Sequence, residues 1–293
     1  MPPTVSVVIP AYNRVETIAR AVVSVRAQTF QDFEIVIVDD GSIDQTRDIV
    51  RQLDDERIRL ISHEKNLGAA AARNTGMKSA VGKYIAWLDS DDEWFPKKLE
   101  QQLAAFKQAA QDQRASYTAY ELVEKQGARI HIPKPVDYKK LFLGCDLSPG
   151  ATLMFERTLL DEIGYIDTTL PRYEDWDWLL LYASKYRFLA VEHCLARIHY
   201  SAQRSAKAVE ISSEAFLSKH SHALKKFGSY RNVVISRRWM EVASYYAREH
   251  QVSKMVQYIF KALFIQPLQP LDVWAWLINS WLNIKLRDLF YKG

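Results

Sequence analysis

Cysteine is scarce in this sequence, and long apolar runs are absent. Only Cys145 and Cys194 occur among the 293 residues, and they form no CxxC pair. This argues against a zinc knuckle or a disulfide framework and is typical of two thiols in a reducing compartment. No run of 18 or more apolar residues is present, so no transmembrane helix is predicted. The opening MPPTVSVVIP lacks the basic segment of a signal peptide, and we expect a cytoplasmic protein.

The common glycine-rich nucleotide-binding motifs are also missing. No GxGxxG follows the first predicted strand, and neither GxxxxGKS nor GxxxxGKT occurs, which removes the main support for a dehydrogenase or a P-loop protein. Basic and acidic residues number 39 and 35, for a formal net charge of +4. This balance is too mild to indicate nucleic-acid binding, and we expect no nucleic-acid partner.

The first hundred residues alternate between strand and helix patterns. The strands are β-branched apolar runs, and the helices carry apolar residues three and four positions apart, as at Ile18, Ala21 and Val25. This alternation predicts an α/β fold with a central, mostly parallel sheet flanked by helices. The predicted strands of this part are Thr4–Ile9, Glu34–Val38, Ile58–Ile61 and Tyr84–Leu88.

Further elements are predicted from the same patterns. Ser42 and Gln45 have the spacing of a capping box for the helix after the second strand. An alanine-rich helix is predicted over Gly68–Ala80, strands over Ser116–Val123 and Ala128–Ile132, and a helix over Glu174–Lys185.

The pattern changes after about residue 205, where long helical patterns take over. Trp239–His250 and Lys254–Phe264 predict an antiparallel helical pair that resembles one tetratricopeptide-like unit, which cannot bury its own apolar face. We therefore predict two domains, residues 1–205 and a C-terminal α-helical extension of residues 206–293.

Two interpretations of the aromatic C-terminal segment stay open. It could form a helix at a membrane surface, or a helix that packs on the first domain or on a second copy of the chain. The residues concerned are Trp274, Trp276, Leu277, Trp281, Lys285 and Arg287.

Acidic residues follow two of the predicted strands. Asp39 and Asp40 come at the end of the second strand, and Asp89, Asp91 and Asp92 follow the fourth. Ligands of such sheets bind outside the carboxyl ends of the strands. Residues two apart in an extended segment face the same way, so Asp89 and Asp91 could bind one metal ion. Carboxylate oxygens are the ligands that Mg²⁺ and Mn²⁺ prefer.

Five motifs occur in a fixed order over roughly the first 205 residues. They are Val7–Asn13, Val38–Ser42, Asn66–Gly68 with Ala72–Asn74, Trp87–Asp92 and Glu174–Asp177. In order and spacing they resemble the family 2 glycosyltransferases. The resemblance implies the A-type glycosyltransferase (GT-A) fold, a Rossmann-like nucleotide-diphospho-sugar transferase fold. It also implies metal dependence and a single displacement that inverts the anomeric centre.

The resemblance further implies residues that bind the donor nucleotide. A carboxylate such as Asp40 can accept the N–H of a uracil ring, and the permanently charged Arg73 suits a diphosphate. The full set implied is Pro10, Ala11, Tyr12, Asn13, Asp40, Gly68, Arg73, Asp89 and Ser90.

Metal and catalytic roles follow from the same resemblance. The metal, Mn²⁺ or Mg²⁺, would be held by Asp89, Asp91 and His199, the last of which follows Arg197-Ile198. Asp175 matches the position of the catalytic base, which must reach the acceptor hydroxyl.

Structural explanations compete with these roles. Asp39 and Asp40 could cap the next helix, and Arg73 could be an exposed helical arginine. Glu174 and Asp175 could be an acidic helix start favoured by the helix dipole.

The expected function is transfer of a sugar from a nucleotide-diphosphate donor to a hydroxyl of a polysaccharide, glycolipid or lipid-linked acceptor. UDP is the family's commonest donor nucleotide, and dTDP and GDP also occur. The alternative is a non-catalytic nucleotide-sugar-binding or scaffold protein on the same fold. Intact Asp89, Asp91 and Asp175 favour the enzyme. Peripheral association with the inner face of the plasma membrane, or a homodimer through the C-terminal helices, would be consistent with either.

Overall fold

The computed structural model describes residues 1–124, 127–199 and 205–267, which form two compact units. Within these ranges the first unit comprises residues 1–124, 127–138, 145–168 and 174–199. The second comprises residues 139–144, 169–173 and 205–267. Two short segments from the first 205 residues therefore belong to the second unit, and the domain boundary at 205 stays a prediction.

A single mixed sheet is the framework of the first unit. Within the described residues its strands are β1 (Val5–Ala11), β2 (Phe33–Asp39), β3 (Ile58–Ser62), β4 (Tyr84–Trp87), β5 (Glu93–Trp94), β6 (Ala115–Glu124), β7 (Gly127–His131), β8 (Met154–Glu156) and β9 (Phe188–His199). The order across the sheet is β3-β2-β1-β4-β8-β6-β9-β5, with β7 paired to β6.

The parallel part of the sheet is the one predicted from the alternating pattern. β3, β2, β1 and β4 run parallel, and every residue of β1 and β2 is buried, as expected for strands covered on both faces. The helices between them are α1 (Ile18–Arg26), α2 (Thr46–Gln52) and α3 (Ala69–Ser79). The predicted α/β fold with helices around a central parallel sheet is confirmed.

The remaining helices of the described residues connect the later strands and build the second unit. They are α4 (Lys98–Phe106), α5 (Tyr138–Leu141), α6 (Pro149–Thr152), α7 (Leu159–Ile163), α8 (Glu174–Ala183), α9 (Ala206–Lys219), α10 (Ser221–Lys225), α11 (Tyr230–Arg248) and α12 (Val252–Ile265). None of the helices in the described ranges is both long and apolar enough to cross a bilayer.

Two local predictions are wrong. The first strand does not end before Pro10 but continues through it to Ala11, paired with β2. Ser42 does not cap α2, because its hydroxyl accepts the N–H of Asn13 (2.9 Å), and Asp44 accepts the N–H of Thr46 instead (3.0 Å). A side chain with a tertiary partner is no longer available for a local cap.

The second unit has its own apolar core. The predicted antiparallel pair is present as α11 and α12, and α11 begins nine residues earlier than predicted, at Tyr230. Tyr258 and Ala262 of α12 are buried with Trp239 and Ala243 of α11, and Val209 of α9 joins the same cluster. The aromatic segment from Trp274 to Arg287 lies outside the described residues.

Gly76 sets how closely α3 packs on the sheet. A Cβ added there would overlap Cγ1 of Val8 in β1 and lie 3.4 Å from Cγ2 of Val38 in β2. We expect Gly76→Ala to lower the free energy of unfolding by about 1 kcal/mol, because overpacking costs of about 1–3 kcal/mol exceed the helix-propensity gain of about 1 kcal/mol. Urea unfolding followed by far-UV circular dichroism measures this. A stabilised variant would mean that propensity decides and that the close packing is unimportant.

Candidate active site

Three parallel strands end at one edge of the sheet, and their ends carry the polar residues of the candidate site. Ala11 at the end of β1 pairs with Asp39 at the end of β2, and Val8 pairs with Trp87 at the end of β4. The chain segments that follow these three strands therefore start side by side, as the position of the acidic residues predicts.

The segment after β1 is tied to the segment after β2. Asn13 has a left-handed backbone (φ 53°), and its Oδ1 accepts the N–H of Ile43 (3.0 Å). Pro10 and Ala11 are buried within β1, whereas 39% of Tyr12 is exposed. Of the predicted nucleotide-binding residues in this segment, Tyr12 thus presents the most side-chain surface to a ligand.

Asp40 organises the turn that precedes α3. Its Oδ1 accepts the N–H of Leu67 (2.9 Å), and its Oδ2 accepts the N–H of Gly68 (2.7 Å). Nδ1 of His63 lies 2.7 Å from the same Oδ1, and its Nε2 lies 2.9 Å from the hydroxyl of Thr75. The motifs Val38–Ser42 and Asn66–Gly68 are brought together by this buried carboxylate.

Asp39, which was not among the predicted site residues, has an unsatisfied oxygen. The residue is fully buried, and its Oδ2 accepts the N–H of Ser42 (3.2 Å) and lies 3.6 Å from Nε of Arg47. No described residue donates a hydrogen bond to its Oδ1. A buried acceptor without a protein partner is uncommon.

Arg73 of α3 joins the strand-end acids to α8. Its Nη2 pairs with Oδ1 of Asp89, and its Nη1 lies 3.4 Å from Oε1 of Glu174. Burial lowers the pKa of Arg73, but the negative charges of Asp89, Asp175 and Glu174 outweigh this and raise it. The interpretation of Arg73 as an exposed helical arginine is wrong, because its side chain is almost fully buried among these carboxylates.

The turn after β4 concentrates negative charge. The carboxylate of Asp89 is one-third exposed (33%), Ser90 is buried, and Oδ2 of Asp91 lies 3.8 Å from Nη2 of Arg14. Burial raises the pKa of Asp92 to about 8, with a further contribution from the charges of Asp89 and Asp91. Such crowding of carboxylates is costly, and Arg73 and Arg14 offset part of this cost.

His199 lies at the end of β9 beside this turn. Its backbone N–H donates to Oδ1 of Asp92 (2.9 Å), and its Nε2 lies 2.7 Å from Oε1 of Glu93. Among the residues that the structure describes, no three His, Cys, Asp or Glu side chains converge closely enough to hold a metal ion by themselves.

The predicted base lies in the first turn of α8, which carries Glu174, Asp175 and Asp177. Oδ1 of Asp175 accepts the N–H of Trp176 (2.7 Å). Burial raises the pKa of Glu174, the charge of Asp175 adds to this, and Arg73 acts in the opposite direction. The charge of Asp175 also reaches Cys145, whose pKa is raised by burial and by that carboxylate.

Gly150 of α6 is a site residue that the sequence did not indicate. Its carbonyl accepts the N–H of Asp89 (2.6 Å), and a Cβ added to it would overlap the Asp89 carboxylate. The dipeptide Pro149-Gly150 indicates a turn. Nothing in the sequence links that turn to a residue 61 positions earlier.

We expect Gly150→Ala to displace the Asp89 carboxylate from Arg73 and to lower the free energy of unfolding by about 1–3 kcal/mol. Urea unfolding measures the change. The matched control is Gly144→Ala in the same chain segment, where an added Cβ meets no heavy atom within 4 Å. Equal effects of the two substitutions would show that the close approach to Asp89 is unimportant.

The chain matches known proteins over most of this site. The family model described as glycosyl transferase family 2 matches residues 6–164. The UDP-Glc:alpha-D-GlcNAc-diphosphoundecaprenol beta-1,3-glucosyltransferase WfgD of Escherichia coli is 36% identical over 163 residues, which cover 55% of this chain and 63% of that protein. The putative teichuronic acid biosynthesis glycosyltransferase TuaG of Bacillus subtilis is 36% identical over 204 residues, which cover 66% of this chain and 78% of TuaG. The chain thus spans less than two thirds of WfgD.

Two solved structures share the fold. S. aureus TarS 1–349 in complex with UDP-GlcNAc has a TM-score of 0.64 at 19% identity and covers 98% of this chain and 91% of that one. The second is the mannosyltransferase PcManGT from Pyrobaculum calidifontis in complex with GDP-Man and Mn²⁺. It has a TM-score of 0.59 at 16% identity, and the match covers 100% of this chain and 89% of that one. The predicted GT-A fold is confirmed. With the family model matching more than half of its residues, the chain belongs to glycosyl transferase family 2.

Proposed function

We propose that this protein is an active glycosyltransferase that moves a sugar from a nucleotide-diphosphate donor to a hydroxyl of a polysaccharide, glycolipid or lipid-linked acceptor. The observation that carries the proposal is the buried Arg73, which pairs with Asp89 on the sheet edge and with Glu174 beside Asp175. These contacts support a single site for the proposed donor-binding and acceptor-activating groups. The names of WfgD and TuaG, which include a lipid-diphosphate acceptor and a polysaccharide pathway, support this acceptor class.

A UDP-sugar is the proposed donor. WfgD is named for UDP-Glc, and TarS is solved with UDP-GlcNAc. A uracil ring carries one N–H between two carbonyl groups, and the unpartnered Oδ1 of Asp39 could accept it. Both oxygens of Asp40 already accept backbone N–H groups, so we assign Asp40 to holding the Leu67–Gly68 turn against the nucleotide. Tyr12 and Asn13 complete the proposed nucleotide site. The end of β1 and the turn after β4 line this site through Pro10, Ala11 and Ser90.

Arg73 is the proposed diphosphate contact from the protein. Its Nε is buried and has no hydrogen-bond partner among the described residues. A guanidinium that retains an unused donor can bind a phosphate oxygen while its other nitrogens keep Asp89 and Glu174 in place. This makes Arg73 a link between donor binding and the orientation of α8.

The divalent cofactor, Mn²⁺ or Mg²⁺, would be held by the donor diphosphate together with Asp89, Asp91 and His199, because the side chains of the described residues do not form a complete metal site by themselves. The crowded carboxylates fit a cation, and Glu93 opposite Nε2 of His199 would leave Nδ1 as the ligand atom, since metal-bound histidines commonly pair their other nitrogen with a carboxylate. When bound, such an ion neutralises charge on the diphosphate leaving group.

Asp175 is the proposed general base. It would accept the proton of the acceptor hydroxyl while that oxygen attacks the anomeric carbon and the nucleoside diphosphate leaves from the opposite face, which inverts the anomeric centre. A base must lie within hydrogen-bond reach of the proton that it takes. The pairing of Glu174 with Arg73 fixes the helix turn that carries Asp175.

The non-catalytic alternative makes a different prediction about turnover. A scaffold would bind a nucleotide sugar and release no UDP from it.

We also propose that the protein acts in the cytoplasm and meets its acceptor at the inner face of the plasma membrane, or forms a homodimer through its C-terminal helices. Liposome flotation and sedimentation of the full chain distinguish these two modes of association.

Donor binding should depend on the metal. We expect UDP with Mn²⁺ to raise the melting temperature, because a ligand at about 100 times its Kd stabilises a protein by about 2.7 kcal/mol. Asp91→Ala should abolish the metal-dependent part of the shift. Asp39→Ala should weaken UDP binding most directly, because it removes the proposed acceptor. dTDP, GDP and CDP serve as comparisons.

Absence of any shift with all four nucleotides, with and without Mn²⁺, would remove the proposed donor site. A shift that Asp91→Ala leaves intact would instead remove the proposed metal contact.

Asp175→Asn should reduce UDP release from a UDP-sugar by about 10²–10⁴-fold, the usual contribution of a general base. The affinity for UDP should stay unchanged, because the base contacts the acceptor rather than the nucleotide. The control is Asp161→Asn, an exposed acid on α7, which should retain full turnover. Wild-type turnover in Asp175→Asn would show that another group is the base.

A further inference from the structure

Tyr173, the residue directly before α8, has a backbone conformation that bulky side chains avoid. Its φ is 63°, in the left-handed region. Such a conformation in a large non-glycine residue persists only where surrounding contacts impose it. Glu174 and Asp175 are the next two residues of the chain, so a constraint on the backbone of Tyr173 directly precedes the proposed base.

A polar network on α11, formed by the buried Arg238 and the half-buried Glu241, holds the Tyr173 side chain. Its hydroxyl donates to Oε1 of Glu241 (3.2 Å), and Oε2 of Glu241 lies 2.5 Å from Nη1 of Arg238. The guanidinium of Arg238 lies 5.8 Å from the centre of the Tyr173 ring, and Phe216 of α9 packs against that ring edge to face. Burial, with the charge of Glu241, raises the pKa of Tyr173 to about 12, so the hydroxyl keeps its proton and remains a donor at neutral pH.

Arg238 also holds the second short segment that joins the helical unit. Its Nη2 donates to the carbonyl of Leu143 (2.9 Å), and its side chain is almost fully buried. The segments 139–144 and 169–173 both belong to the helical unit. Each leads along the chain into a part of the candidate site, the first towards Gly150 and the second into Glu174 and Asp175.

We propose that Arg238 and Glu241 of α11 are positioning residues for the transfer reaction, acting through Tyr173 on the placement of Asp175. This inference rests on the proposed function. The C-terminal helices would then be required for turnover because they fix the backbone ahead of the base, whether or not they bind a partner. A buried ion pair is by itself weak support for stability, and a role in fixing one conformation is the better-attested use.

The test compares conservative variants of the full chain. Arg238→Lys keeps the charge but loses the paired donors, Glu241→Gln keeps the shape, and Tyr173→Phe removes only the hydroxyl. Each should lower the rate of UDP release from UDP-glucose with Mn²⁺ by about 10- to 100-fold, the effect of a displacement of about 1 Å at a reacting group. UDP affinity should remain that of the wild type. The matched control is Arg248→Lys, an exposed arginine on the same helix, which should change neither quantity.

A second readout separates positioning from general loss of structure. In an Asp175→Asn background, adding Glu241→Gln should cause no further loss, because residues that act through one group are non-additive. Turnover equal to that of Arg248→Lys in all three variants, or a parallel loss of UDP affinity and turnover, would overturn the inference. UDP-sugar turnover absent from the wild type, despite UDP binding, would instead remove the proposed function on which the inference rests.

Discussion

A buried arginine surrounded by carboxylates is the interaction on which the candidate site depends. Arg73 has almost no contact with water, and a buried cation is tolerated only with anionic partners. Asp89 and Glu174 are those partners, although they are far apart in sequence and come from a strand end and a helix start. The same pairing that makes burial of the arginine acceptable therefore fixes the separation between the proposed donor and acceptor groups.

Around this arginine, close contacts with the backbone hold the loops in place. Asp40 accepts the backbone N–H groups of the Leu67–Gly68 turn, and the hydroxyl of Ser42 accepts the N–H of Asn13. Because Gly150 lacks a side chain, the carboxylate of Asp89 can pack directly against its backbone. Preorganised polar groups need little rearrangement when charge develops during a reaction, which is the main way in which active sites lower barriers. The proposed divalent cation would lie at the turn after β4, where the acids remain crowded.

The prediction of the fold succeeded where local pattern and burial agree. β1, β2 and β4 are short apolar runs buried on both faces, β3 is a partly exposed edge strand, and the pattern located each of the four within a few residues. It failed at Ser42, whose capping spacing is genuine but whose hydroxyl is used by Asn13. It also missed β8 and β9, because β8 has only three residues and the exposure of β9 follows no simple alternation.

By itself, the sequence determined the order of the elements, the acidic strand ends, and the motifs that identify the family, because these are local features of the chain. Tertiary structure alone decided that Asp40 is occupied by backbone donors, that Asp39 retains an unpartnered oxygen, and that Arg73 is buried between two acids. It also decided that Tyr173 takes a left-handed conformation next to α11 residues from 65 positions later. These facts depend on which distant groups compete for each donor and acceptor, and no spacing within the sequence records that competition.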